Sequence, residues 1–281
     1  MSGVEGRSVV VTGAGGGLGR SHAIALAAQG ALVVVNDLGT SLEGCGSTVS
    51  AADSVVSEIM AAGGEAVASH HDVAAEDGGA GVVQLALDAF GRIDIVVNNA
   101  GILRDRSFLK MSLEEWRAVL NVHLDGAFNV THAAWSHFRE QGRGRVIVTT
   151  SVTGLYGNFG QANYGAAKLG LVGFINTLAL EGKKYNICAN AVSPLARTRM
   201  SEGILEQEFD PAYVSALVVY LSGDECATTG EVIHAAAGRY SRVRYAESIG
   251  VEFESVPTAA ELSGCWDELM VMDGARVTSS V

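Results

Sequence analysis

The chain has 281 residues, 48% of them hydrophobic, with 19 Lys+Arg against 31 Asp+Glu for a formal net charge of −12. That apolar fraction can bury a large core, and the acidic field disfavours nucleic acid and anionic membranes as partners. No apolar run approaches a membrane span, and the opening "MSGVEGRSVVVTG" lacks the basic lead and long apolar run of a secretory signal, so a cytoplasmic protein is expected.

The first element is a strand over residues 8–12, "SVVVT". "TGAGGGLG" follows it and opens a helix reading "GRSHAIALAAQG". Gly13, Gly17 and Gly19, with Leu18 between the last two, fall in a TGxxxGxG spacing. Such a loop lets backbone approach a pyrophosphate that then sits at the positive helix N-terminus. A second strand covers 32–36, "LVVVN", and ends at Asp37. An acid there can hydrogen-bond the adenosine ribose hydroxyls and repel a 2′-phosphate. Gly16 precedes Gly17 and Leu38 follows Asp37, so no basic residue flanks either position and NAD is expected over NADP. The bland alternative for Asp37 is a turn-starting aspartate.

A helix over "AADSVVSEIMAAG", a weaker strand at 65–69 and the segment Asp72–Val73 come next. Asp72 is expected at the adenine, with a loop cap as the competing role. After the helix "AGVVQLALDAFG", a strand over 93–98 ends in "NNAG". Asn99, Ala100 and Gly101 are small enough to let backbone meet a cofactor, while Asn98 braces the sheet. Asn121 lies in "NVHLDGAF"; a strand over 145–150 ends at Ser151. Tyr164 and Lys168, in "YGAAK", share one helix face at i and i+4. An ordinary surface lysine and half-buried tyrosine would explain that pair alone. Together with the glycine loop, Asp37 and Ser151 it points to a tyrosine base, its pKa lowered by the neighbouring ammonium. Ser151 would orient a substrate oxygen. Asn121 would hold a water linking the lysine to solvent. Strands near 187–192 and 231–235 complete the pattern, with "SPLARTRM" between them.

Consecutive apolar positions in these strands fit a parallel sheet covered on both faces. The β-α-β-α alternation therefore predicts an α/β, doubly wound, mostly parallel sheet of Rossmann type. One domain is expected over residues 1–240, and 241–281 as an extension of unassigned role. Cys45, Cys188, Cys226 and Cys265 are scattered and read as reduced thiols. The seven histidines lack metal spacing, the adjacent His70 and His71 reading as solvated, so no metal is expected.

TGxxxGxG, NNAG and the tetrad Asn121, Ser151, Tyr164 and Lys168 together resemble the short-chain dehydrogenase/reductase family, over roughly residues 5–240. Narrower strings, "ALVVVNDLG", "DAFGRIDIVVNNAGILRDRSF" and "YGNFGQANYGAAKLGL", resemble the (3R)-hydroxyacyl-CoA dehydrogenase domains of peroxisomal type 2 multifunctional enzymes, also described as 17β-hydroxysteroid dehydrogenases of type 4. The resemblance implies hydride transfer between NAD and C3 of a 3-hydroxyacyl-CoA. Tyr164 would act as base and Lys168 would grip the nicotinamide ribose. It also implies a homodimer or homotetramer paired through the Tyr164 helix and the one before it. A hydroxysteroid dehydrogenase, a 3-oxoacyl-carrier-protein reductase and an NAD-binding redox sensor remain open. The chain ends "TSSV" rather than in a peroxisomal SKL. One departure stands out: the family's Pro-Gly reads Pro194-Leu195 here, and Thr198 comes one residue early. Pro194 anchors the motif, Thr198 is assigned to the nicotinamide amide, and Val192 to a backbone contact. Arg104, Arg106, Arg197 and Arg199 are candidate grips for CoA phosphates, with pairing to nearby acids as the competing role.

Overall fold

The computed structural model describes residues 3–41, 43–46, 50–197 and 209–278. Residues 1–241 form one compact unit and 242–281 a second.

In the first unit seven strands run parallel in pairs: β1 (Ser8–Thr12), β2 (Leu32–Asn36), β3 (Glu65–Ser69), β4 (Ile95–Asn98), β5 (Gly144–Thr149), β6 (Ile187–Leu195) and β7 (Val232–Ala236). With β8 (Arg239–Val243) the sheet order is β3-β2-β1-β4-β5-β6-β7-β8. A two-residue turn joins β7 to β8, with Ala237 at φ 44° and Gly238 at φ 81°. The major helices are α1 (Gly17–Ala27), α2 (Ser50–Ala61), α3 (Gly78–Phe90), α4 (Leu113–Leu120), α5 (Gly126–Gln141), α6 (Val152–Tyr156), α7 (Ala162–Gly182) and α8 (Pro211–Ser222). This is the doubly wound α/β fold that the strand pattern predicts.

The all-apolar strands follow from the layering. Val9, Val11, Val33, Val35, Ile95 and Val97 pack with Ala23 and Leu26 of α1, Val55 and Ile59 of α2, and Val214, Val218 and Leu221 of α8. Their alternates Val10, Val34 and Val96 point the other way and are equally buried. Because side chains alternate between faces and helices cover both, the middles of these strands are apolar at every position, and polar residues such as Ser8, Thr12, Asn36 and Asn98 stand only at their ends. Sheet order reverses between β1 and β4. Their carboxyl ends therefore diverge and leave a crevice.

The amino ends carry a different chemistry. Asp94, 0% exposed, accepts from Arg92 Nε and Nη2 at 2.6 Å each and from Ser8 N–H at 3.0 Å. Arg7 lies 3.4 Å and Arg143 3.6 Å from its Oδ1, and both also reach Asp224. Three arginines on one buried carboxylate thus tie β1, the segment before β4 and the segment before β5.

The second unit holds a short antiparallel pair, β9 (Ala246–Glu247) with β10 (Arg276–Val277), and two short helices, α9 (Ala259–Gly264) and α10 (Trp266–Leu269). Thr258 caps α9 in a box with Glu261. Among the described residues no helix is long and apolar enough to cross a membrane.

Removing one partner of a buried ion cluster strands the others. Asp94→Asn is expected to lower unfolding free energy by about 3 kcal/mol while leaving kcat within twofold. Urea denaturation checks this, and a loss below about 1 kcal/mol would contradict it.

Candidate active site

The crevice opens into a cavity of about 460 Å³ lined from the first helix to the end of β6. Its walls include Gly13, Gly17, Leu18, Asp37, Asp72, Val73, Asn99, Ala100, Gly101, Asn121, Ser151, Tyr164, Lys168 and Pro194. Residues spread over 182 positions of sequence thus meet in one place, some at or just beyond strand carboxyl ends and others, such as Asn121, Tyr164 and Lys168, on helices packed over those ends.

At one end lies the glycine loop. Gly13 has φ 63°, and a Cβ there would stand 2.7 Å from Ala100 Cα. A Cβ on Gly19 would overlap Gly13 O. These two positions admit no side chain, so α1 starts hard against the loop. Gly16 caps α1 without a side-chain hydrogen bond. The first-turn N–H groups are thereby left for an anion at the positive helix end. Thr12 locks the facing loop: its Oγ1 accepts from Asn99 N–H at 3.0 Å and Ala100 N–H at 3.1 Å, while Asn99 Nδ2 donates to Thr12 O and Gly13 O at 3.1 Å each. Asn98 Nδ2 donates to Thr131 Oγ1 at 2.9 Å and braces β4 against α5.

Asp37 accepts from Gly15 N–H at 2.7 Å and Gly39 N–H at 2.6 Å. Each carboxylate oxygen keeps acceptor capacity toward the cavity. A Cβ at Gly15 would come within 2.8 Å of Asp37 Cγ, so no larger residue fits beside it. Asp72 takes its competing role as well: its Oδ1 accepts from Ala74 N–H at 2.9 Å. An uncapped helix start, backbone brought close by glycine and a carboxylate at the end of β2 fit a nicotinamide dinucleotide.

At the other end, Ser151 caps α6 by accepting from Thr153 N–H at 3.2 Å. That bond fixes Oγ and leaves its hydrogen free to donate. Tyr164 and Lys168 stand on α7, whose start Asn163 pins. Asn163 is 0% exposed, its Nδ2 donates to Arg104 O at 3.0 Å and Glu115 O at 3.2 Å, and its Oδ1 accepts from Tyr164 N–H at 2.8 Å. Lys168 is 3% exposed; its Nζ donates to Thr149 O at 2.5 Å and lies 5.5 Å from the Tyr164 ring centroid. Asn121 opens a π-helical turn, Asn121–Asp125, between α4 and α5. Two acceptors, Arg117 O and Asp125 Oδ2, face its side-chain amide, and turning the amide by 180° lets its nitrogen donate to them at 3.0 and 3.2 Å.

Three expectations change here. Without cofactor the tyrosine is not lowered by the lysine. Burial holds the Tyr164 phenol above its ordinary value, with Asp105 adding to the rise and a hydrogen bond from Ser151 opposing it. Burial instead brings the Lys168 ammonium down to about 7, so near neutral pH the lysine is a weaker cation than its type suggests. Val192 is buried in β6 with its carbonyl taken by Thr150 N–H at 2.8 Å; Pro194, Leu195 and Ala196 form that wall instead. The arginine grips are partly engaged. Arg104 bonds Glu114 at 3.3 Å and Glu43 O at 3.0 Å, and Arg106 lies 3.1 Å from Glu115. Arg197 is exposed, while Thr198 and Arg199 lie outside the described residues. Among the described residues no group of three acidic, histidine or cysteine side chains could hold a metal.

Sequence reasoning passed over Thr12, Asn163 and His123. Thr12 and Asn163 each adjoin a recognised motif residue, which is the only signal they carry.

The fold and this cavity define a dinucleotide-binding oxidoreductase. The family model for short chain dehydrogenases matches residues 7–208, and the chain belongs to the short-chain dehydrogenase/reductase family. A Mycobacterium tuberculosis protein named as a short-chain type dehydrogenase/reductase is 53% identical over 99% of this chain and 98% of its own. The mouse peroxisomal multifunctional enzyme type 2 is 51% identical over 88% of this chain, yet that match spans only 34% of the mouse enzyme. A crystal structure of a short chain dehydrogenase from Mycobacterium avium superposes with a TM-score of 0.86 at 43% identity, covering 98% of this chain and 97% of that one.

The buried lysine gives a signed pH effect. Its folded value lies near 7 against 10.5 for the free group, so between those values the unfolded chain binds more protons and stability rises with pH. Below pH 7 both states are charged and the full burial penalty stands. The unfolding free energy of cofactor-free wild type minus that of Lys168→Met should therefore grow by up to about 1.4 kcal/mol per pH unit from pH 7 to 9. A flat difference in urea titrations would remove the basis for a depressed lysine.

Proposed function

We propose that the enzyme oxidises the C3 hydroxyl of a 3-hydroxyacyl-CoA to the 3-oxoacyl-CoA with NAD. The observation that carries this reading is the convergence of Ser151, Tyr164 and Lys168 in the same cavity as the glycine loop and Asp37. A bound oxidised nicotinamide supplies the hydride acceptor for C3. Tyr164 takes the hydroxyl proton, and Ser151 donates a hydrogen bond to the reacting oxygen. Lys168 holds the cofactor ribose, and its ammonium together with the positive charge of an oxidised nicotinamide favours the phenolate. Asn121 holds the water that returns the proton to solvent. Asp37, with no room for a larger residue at Gly15, supports NAD over NADP. The acyl-CoA assignment is supported by the strings shared with hydroxyacyl-CoA dehydrogenase domains, and by Arg104 on the cavity wall, where it can exchange Glu114 for a phosphate.

The test is NADH absorbance with a panel of 3-hydroxyacyl-CoA thioesters and free steroid alcohols. The thioesters with NAD should give a kcat/KM at least tenfold above either the steroids or NADP. Tyr164→Phe should cost about a hundredfold or more in kcat with cofactor affinity nearly intact. Steroids outrunning every thioester, or half the rate surviving in the Phe variant, would refute the assignment.

The working form is proposed to be a homodimer or homotetramer. On α5, Phe128 is 50% exposed, and on α7 Leu169 and Leu180 are 41% and 51% exposed. Around Gly173, on the same α7 face, a Cβ would meet nothing within 4 Å. A two-fold axis would pair these faces and bury their apolar groups. Light scattering at micromolar concentration should give at least twice the 29.1 kDa chain mass, and a monomer mass would rule the pairing out.

A further inference from the structure

The chemistry above leaves His123 without a task, yet the structure keeps it at some cost. It lies two residues past Asn121 in the π-helical turn and is 3% exposed. Its Nε2 stands 2.9 Å from Ile102 O and 3.1 Å from Ile102 N. Its Nδ1 is buried with no hydrogen-bond partner. An unpaired buried polar atom is unfavourable, a cost that a phenylalanine in the same space would avoid.

Two features show what that cost maintains. The imidazole ring stands at 88° to the Tyr164 ring with centroids 5.2 Å apart, an edge-to-face contact. Gly101 faces the imidazole so closely that any Cβ there would overlap its Cε1. The loop that opens toward the cofactor is thus shaped on its other side to admit His123. Ile102, next in that loop, grips the imidazole through its backbone. A proton-shuttle role does not fit: burial and then the Lys168 charge hold the imidazole well below its ordinary value, so it stays neutral.

We infer that His123 is a positioning residue for Tyr164: the Ile102 backbone holds the imidazole, and the imidazole fixes the plane of the phenol and so the place of its oxygen beside Ser151. This rests on the reading of Tyr164 as proton acceptor. Either tautomer serves, since Nε2 can donate to Ile102 O or accept from Ile102 N–H. Lys168 Nζ approaches the same ring at 5.5 Å from its centroid. The Tyr164 ring thus has both the Lys168 ammonium and a braced imidazole as neighbours, and His123 links the loop after β4 to α7.

The experiment is a double-mutant cycle with 3-hydroxybutyryl-CoA and NAD. His123→Ala should lower kcat at least tenfold, while KM and the cofactor dissociation constant from fluorescence titration change less than threefold. His123→Gln keeps a partner for Ile102 without the ring and should recover only part of the loss; it also serves if the alanine variant does not fold. In a Tyr164→Phe background, His123→Ala should change the residual rate less than twofold, because an effect acting through the phenol has nothing left to act on. The inference is overturned if His123→Ala keeps more than half of kcat, if its loss is equal in both backgrounds, or if cofactor affinity falls in step with kcat. Failure of the functional reading shows separately, as turnover kept by Tyr164→Phe with His123 intact.

Discussion

An ammonium taken out of water needs acceptors, and Lys168 finds its acceptor in the backbone carbonyl of Thr149 at the end of β5. The demand runs through the whole site. Thr150 Oγ1 donates back to Lys168 O at 2.6 Å, so strand end and helix hold each other. Gly154 of α6 admits no Cβ beyond 2.8 Å from Lys168 Cβ, which brings the Ser151 cap close to α7. Tyr164, one turn earlier on α7, is thereby aimed at the same cavity. Desolvation brings the lysine near neutrality in the cofactor-free protein, and the same desolvation strengthens every charge interaction once ligands fill the space.

The opposite end of the cavity works by subtraction rather than by charge. Gly13, Gly15, Gly19 and Gly101 each mark a place where a side chain would strike backbone, Asp37 or His123. What remains exposed there is backbone N–H and a carboxylate, the groups suited to a dinucleotide. Thr12 and Asn99 then clip the two loops together without any ligand present. Preorganisation of this kind limits the ordering cost of binding.

Stability and chemistry occupy opposite edges of one sheet. At the amino ends, Asp94 gathers Arg7, Arg92 and Arg143. At the carboxyl ends lie Ser151, Tyr164 and Lys168. Between them the strands are apolar on both faces, which insulates one set of charges from the other. The π-helical turn at Asn121–Asp125 bridges α4 and α5 above this edge. Such turns recur at functional sites because they re-aim side chains within a continuing helix.

The linear sequence determined the sheet and singled out the polar residues that line the cavity. Runs such as "LVVVN" state burial on both faces directly, and TGxxxGxG, NNAG and the Tyr164–Lys168 spacing are local patterns with local physical causes. It also placed Asp37 just past a strand end, and the structure puts it on the cavity wall. Tertiary structure decided what depends on distance across the chain. The protonation balance of Lys168 follows from burial between β5 and α6, which no spacing reveals. Asn163 became a pin because Arg104 and Glu115, 59 and 48 positions away, present their carbonyls to it. His123 met Tyr164 because a π-turn and a glycine 22 positions earlier made room for its ring. Arg104 and Arg106 acquired acidic partners only when α4 folded beside their loop. Periodicity reports which face a residue takes, but charge state and mutual aim are set by whichever distant groups share that face in space.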